Sequence, residues 1–297
     1  MEQLEVHDIE FLTPKTEDEL LDILDRYKEK AKVLAGGSDL LLLIRRNLIA
    51  RPNYIVNIME IPSLKYINED EETVRIGATV THTEAIENQI INREFPSLVK
   101  ALKTIGSTQI RNWATIAGNL ANASPAADSA PILIALDAKL KIKSAKDEKI
   151  IPVEELFVGV KKTILKPNEI IKEIIIPKKR KNFAADFIKL GKRNALVLAV
   201  VSAAAGIEMS EDGKIKNIRI ALGSVAPTPL RAKKAEDVLR GKEPKMDLID
   251  KCAKVAKEES KPISDVRASA EYRREMVYVL TKRVILNALK ELGVDVE

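Results

Sequence analysis

Apolar and polar positions divide the chain into short alternating runs and longer stretches of helical period. Residues 5–12 read as a strand, and Thr16 with Glu19 makes a capping box ahead of Leu20, Leu21, Ile23, Leu24 and Tyr27, on one face of a helix ending near Lys30. In KVLAGGSDLLLLIRR a short apolar run stops at Gly36 and Gly37, and a second helix is expected from Ser38. YIVNI after Pro52 reads as a strand, IPSLKYI as a turn leading into another, and TVRIGATVT as a third before a helix from about Thr83. A helix over residues 97–105 ends at Gly106, STQIRNWATIAGN reads as irregular, and SPAADSAPILIAL leads through Asp128 into a helix whose start is marked by Pro131.

From Lys139 the pattern turns strand-like, through LKIKS, KIIPV, EIIKEIIIP and residues 183–190. ALVLAVVSAAAGIEM and KIKNIRIALGSVA are two longer strands joined at Asp212-Gly213. Three helices close the chain: one after the paired prolines of APTPLRAKKAEDVL, one with Cys252 on its apolar stripe, and a long one carrying Met276, Val277, Leu280, Val284, Ile285 and Ala288. The class is α+β, with a boundary near Pro177 to Lys181 between a mixed region and a small sheet with a helical cluster.

Charge changes this picture little. The formal +5 is the remainder of 49 basic and 44 acidic side chains, interleaved along the chain, which argues against a nucleic-acid partner. The basic run KKRK at residues 178–181 reads as a linker. A single cysteine, Cys252, excludes an intrachain disulfide and any cysteine-built cluster on this chain. The N-terminus lacks the basic flank and apolar core of a secretory signal, and no apolar run approaches the roughly 20 residues of a membrane span, so a cytoplasmic protein is expected.

Candidate chemistry lies in two glycine-bearing places. The stretch from Lys103 to Ala135 is rich in small residues, which let a backbone approach a ligand and offer amides to a diphosphate. Within it the spacing of Thr115, Gly118 and Asn119 is expected to leave several amides free. The strand, Gly36-Gly37 turn and helix start form a second anion site, with side chains offered by Ser38 and Asp39. Neither is a Rossmann fingerprint or a P-loop. Asp128 reads either as a helix cap or as an acceptor for ligand hydroxyls, and His82 reads as a surface or capping histidine without chemistry. No catalytic nucleophile, acid-base dyad or metal set is apparent.

Six segments in order, AGGSDLL at 35–41, TIAGN at 115–119, ASPAADSAP at 123–131, KLGKR at 189–193, VAPTPLRAKKAE at 225–236 and SDVRASAEYRREM at 264–276, resemble the FAD-binding medium subunits of molybdenum hydroxylases. Carbon monoxide dehydrogenase and the flavin domain of xanthine dehydrogenase are examples of that family. The resemblance implies an FAD-binding domain over 1–178 of the vanillyl-alcohol-oxidase (PCMH) type. It would consist of two α+β subdomains at about 1–58 and 59–178, followed over 179–297 by a domain with a small antiparallel sheet and three helices. It implies a cofactor-binding set of Leu34, Ala35, Gly36, Gly37, Ser38, Asp39, Leu40, Ile105, Thr115, Ala117, Gly118, Asn119, Asp128 and Lys189, with no catalytic or metal-ligating residue. In that set Asp128 would bind the flavin's sugar-alcohol chain. Asp39 departs from a His or second Ser, and Ala117 from a second Gly, found in many relatives.

The implied role is electron transfer from [2Fe-2S] clusters of a small partner subunit, through FAD, to NAD or a quinone. A large molybdopterin subunit would oxidise the substrate, in an assembly expected to be a dimer of heterotrimers. A cofactor-free assembly scaffold and a stand-alone flavin oxidase are the alternatives.

Overall fold

The first apolar runs fold into a parallel sheet in which Tyr54–Asn57 lies between Glu10–Leu12 and Ala31–Leu34. The computed structural model describes residues 9–178 and 181–296. Residues 5–8 of the expected first strand, and Lys179 and Arg180 of the basic run, lie outside them. The helix Glu17–Tyr27 starts as its sequence dictates, with the Thr16 hydroxyl accepting from the Glu19 amide at 3.2 Å. The capping box is only half made, because the Glu19 carboxylate accepts from the Lys15 amide at 2.7 Å. The helix also stops at Tyr27, where Lys28 turns left-handed at φ 45° and residues Lys28–Lys30 form one 3₁₀ turn.

A five-stranded antiparallel sheet follows, ordered Ile67–Glu69, Thr73–Gly77, Ile170–Pro177, Lys139–Lys143, Glu148–Pro152. Between Thr73–Gly77 and Lys139–Lys143 the chain runs through six short helices. Two of them, Thr108–Trp113 and Ile116–Ala121, occupy the segment expected to be irregular. Each is started by a hydroxyl: Ser107 accepts from Ile110 N, and Thr115 from Gly118 N. A small hairpin of Phe157–Gly159 and Lys162–Thr163, unforeseen in the sequence, docks through the Lys161 amide on the Ala123 carbonyl at 3.0 Å.

The C-terminal sheet is antiparallel and follows chain order: Phe183–Leu190, Val201–Met209, Ile215–Gly223, Leu230–Arg231. The second strand begins at Val201, not near Ala195. Leu196 stands at φ 52°, and its carbonyl accepts from the Arg193 guanidinium, so the chain bends before the ladder starts. Three helices, Lys233–Leu239, Met246–Glu259 and Ala270–Glu291, cover one face of this sheet. Ala203, Ala205, Ile207 and the buried Cys252 belong to that core, whereas Ala185, Phe187, Ala204 and Ala221 join the core of the N-terminal part. Both faces are therefore covered, which explains why every residue of Val201–Met209 is buried. Contact across the seam is close: a Cβ on Gly206 would stand 2.3 Å from the carbonyl oxygen of Ala135, the last residue of the helix Ser129–Ala135.

Candidate functional site

The two glycine-bearing loops, far apart in sequence, touch through their backbones. A Cβ built on Gly36 would lie 1.8 Å from the Trp113 carbonyl oxygen and 2.8 Å from the Ala114 amide nitrogen, so only glycine permits the approach. Gly37, at φ 70°, turns the chain out of the strand. The second loop is held from behind, where the His82 amide donates to Ala114 O at 2.9 Å and Thr81 bridges Thr115.

Together the loops form one wall of a cavity of about 780 Å³, within the size range of cofactor sites. Ala35, Gly36, Gly37, Ser38, Asp39, Leu40, Ile105, Thr115, Ala117, Gly118 and Asn119 all line it. Leu34, Asp128 and Lys189 do not. Leu34 points into a small core with Ile44 and Ile55. Asp128 and Lys189 form a buried ion pair at 2.6 Å behind the wall, where Lys189 also donates to Thr104 O beside Ile105. The next residue, Ser129, donates its hydroxyl to Asn119 Oδ1 at 2.6 Å. Asp128 Oδ1 has no partner among the described residues. Burial pushes the Asp128 carboxyl up to about 6, against the pull of Lys189.

The supply of free amides differs from the sequence reading. In the second loop the Gly118 amide is taken by Thr115 Oγ1, the Ile116 amide by Val80 O and the Asn119 amide by Thr115 O. In the first loop the amides of residues 36–40 meet no acceptor among the described residues. Anion-binding capacity therefore lies with the first loop, while the second supplies a close, uncharged wall. The helix there is Leu40–Arg45, two residues later than expected, with Asp39 as its N-cap residue but no capping bond from the Asp39 side chain.

Asp39 instead faces Lys161, 3.9 Å away on the unforeseen hairpin, and Lys161 Nζ donates to Asn122 Oδ1 at 2.7 Å. Burial lowers the Lys161 pKa and Asp39 opposes that shift. Lys161 lines the cavity, as do Lys30, Lys32 and Arg51. No spacing signal in the hairpin sequence marks Lys161. His82 differs from its expectation as a surface or capping histidine: it is fully buried and lines the cavity, and neither ring nitrogen has a partner among the described residues. Burial, helped by the nearby Arg111 charge, lowers its pKa to about 4, so the ring is neutral at pH 7.

These groups fit a dinucleotide-type cofactor: unpaired amides and a lysine suit an anionic centre. Val33, Leu43, Ile49, Ile105, Leu165 and Ile171 supply apolar surface for flat rings. Among the described residues no group of histidine, cysteine or carboxylate side chains is placed to hold a metal.

Comparison with known proteins agrees with the geometry. The family described as FAD binding domain in molybdopterin dehydrogenase matches residues 7–179, and CO dehydrogenase flavoprotein C-terminal domain matches residues 186–288. The chain is 29% identical over 289 residues to the nicotinate dehydrogenase FAD-subunit of Eubacterium barkeri, covering 96% of this chain and 97% of that protein. It is 30% identical to the carbon monoxide dehydrogenase medium chain of Hydrogenophaga pseudoflava, covering 93% of this chain and 95% of the relative. The solved carbon monoxide dehydrogenase of the same organism, lacking the Mo-pyranopterin moiety, superposes with a TM-score of 0.91 at 32% identity, over 96% of this chain and 98% of that one. Quinoline 2-oxidoreductase from Pseudomonas putida 86 gives a TM-score of 0.88 at 27% identity, over 96% and 98% of the two chains. The chain belongs to the FAD-binding medium subunits of molybdenum hydroxylases and carries the family's FAD-binding domain.

Proposed function

We propose that this chain is the electron-transferring flavoprotein of a cytoplasmic assembly, alongside an iron-sulfur small subunit and a molybdopterin large subunit, arranged as a dimer of heterotrimers. FAD bound in the cavity would accept electrons from [2Fe-2S] clusters of the small subunit and deliver them to NAD or a quinone. The observation that carries this reading is the meeting of the two glycine loops on one wall of a cofactor-sized cavity. The names of the relatives support the assembly, since they are medium chains or FAD-subunits of dehydrogenases. The lone, buried, unpaired Cys252 supports the cytoplasmic setting.

In this reading the amides of residues 36–40 hold the diphosphate, with Lys161 offsetting Asp39 beside it. Ala35, Thr115, Ala117, Gly118 and Asn119 form the wall that the cofactor lies against, and Ile105 packs on it. The resemblance assigns Asp128 to a hydroxyl of the ribityl chain; its free oxygen does not line the cavity as it stands, so that contact requires the wall beside it to shift when the cofactor binds, and Lys189 holds the carboxylate in place. Leu34 acts indirectly, by anchoring the strand that leads into the first loop. The domain division at residue 178 belongs to the same proposal, supported by the change of sheet beyond Pro177.

The test is a visible spectrum of the purified chain and of the complex co-expressed with both partners. Flavin absorbance bands are expected, and substrate hydroxylation is not expected from the chain alone. A full complex without flavin would overturn the reading in favour of a cofactor-free scaffold.

A further inference from the structure

An imidazole buried with neither nitrogen bonded is costly, and native structures contain few such groups. His82 is one, and it lines the cavity. Its position is fixed by backbone: it is the first residue of the helix His82–Glu87, which is started by a reciprocal capping box between Thr81 and Glu84. Its own amide donates to Ala114 O at 2.9 Å, so the residue is fastened to the second glycine loop. The protein thus holds in place a polar side chain for which the described residues provide no partner.

We propose that His82 is a further cofactor-binding residue, whose imidazole N–H donates a hydrogen bond to an oxygen of FAD in the cavity, directly or through one bridging water. The inference rests on the FAD reading above. A neutral imidazole has one donor and one acceptor, and the diphosphate, ribityl and ring oxygens of FAD all accept. With Arg111 nearby and burial keeping the ring uncharged, His82 adds a donor to the wall without adding a charge.

The chain holds two histidines, His7 and His82, so isotopic labelling of histidine nitrogen alone gives a spectrum of two rings, assigned with His82→Asn. Titrating FAD into the full chain at neutral pH is expected to shift the His82 ring nitrogens and fix one tautomer, in step with the flavin absorbance. His82→Leu is expected to bind FAD about tenfold more weakly, the loss of one hydrogen bond, while the empty variant melts no lower than the parent. FAD uptake that leaves the His82 ring signals unmoved, or an unchanged affinity in His82→Leu, would overturn the proposal and leave the cofactor reading standing. Where the chain alone takes up no FAD, the same titration is run on the complex co-expressed with both partners, and absence of FAD uptake there would overturn both.

Discussion

Gly36 leaves no space for a side chain, because the atom a Cβ would strike is a backbone carbonyl that cannot rotate away. Gly36→Ala should therefore force the two loops apart, costing about 1–3 kcal/mol in overpacking and abolishing FAD retention. Urea unfolding and the flavin spectrum read the two effects separately; a variant of normal stability that keeps its flavin would refute the loop contact. His82 gives a second prediction. Its pKa is about 4 in the fold against 6.5 for the free side chain, so between those values the unfolded chain holds the extra proton. By linkage, its contribution to stability falls as pH drops through that window. The raised Asp128 carboxyl titrates in the opposite sense, favouring the fold as pH falls. Comparing His82→Leu with the parent chain cancels that term. The variant's advantage in urea midpoint should be larger at about pH 5 than at about pH 7.

Elements with a strong period or cap were legible in the sequence. Ile215–Gly223 is an isoleucine-rich run bounded by the Asp212-Gly213 turn, Glu17–Tyr27 is announced by Thr16, and the Gly36-Gly37 turn ends a short apolar run. The helices Thr108–Trp113 and Ile116–Ala121 were not, because each has six residues and little helical period, although Ser107 and Thr115 did carry capping signals. Lys161 and His82 were illegible for a different reason: what defines them is a neighbour distant in sequence, Asp39 for one and the Ala114 loop for the other. The motif at 264–276 shows what such a pattern encodes. Arg273 is buried, donating to Val200 O, Ser224 O and Asp265 Oδ1, and thereby ties the long helix to the sheet beneath it. Arg273→Met would leave two carbonyls and the Asp265 carboxylate short of a donor. A loss of about 3 kcal/mol in urea unfolding is expected; a loss below about 1 kcal/mol would mean that this network is dispensable.

At the scale of the molecule the C-terminal sheet is a shared wall, and that bears on the cofactor site. One face packs on the three helices and the other on the helix Ser129–Ala135, with Ala204 and Ala221 in the N-terminal core. The same seam carries the Asp128–Lys189 pair, the Lys100–Asp186 pair and the Ser224 amide on Pro125 O. Separating the halves would expose apolar area and unpair buried charges together, so neither half should unfold alone. Hydrogen exchange resolved by mass spectrometry at increasing urea should accordingly give one midpoint for peptides from both halves. FAD would contact the N-terminal loops and, through Asp128, the seam. At a free concentration about 100 times its Kd it should stabilise both halves equally, by about 2.7 kcal/mol. If FAD raised the midpoint of N-terminal peptides alone, the two halves would be independent folding units and Lys189 would have no mechanical link to the cofactor.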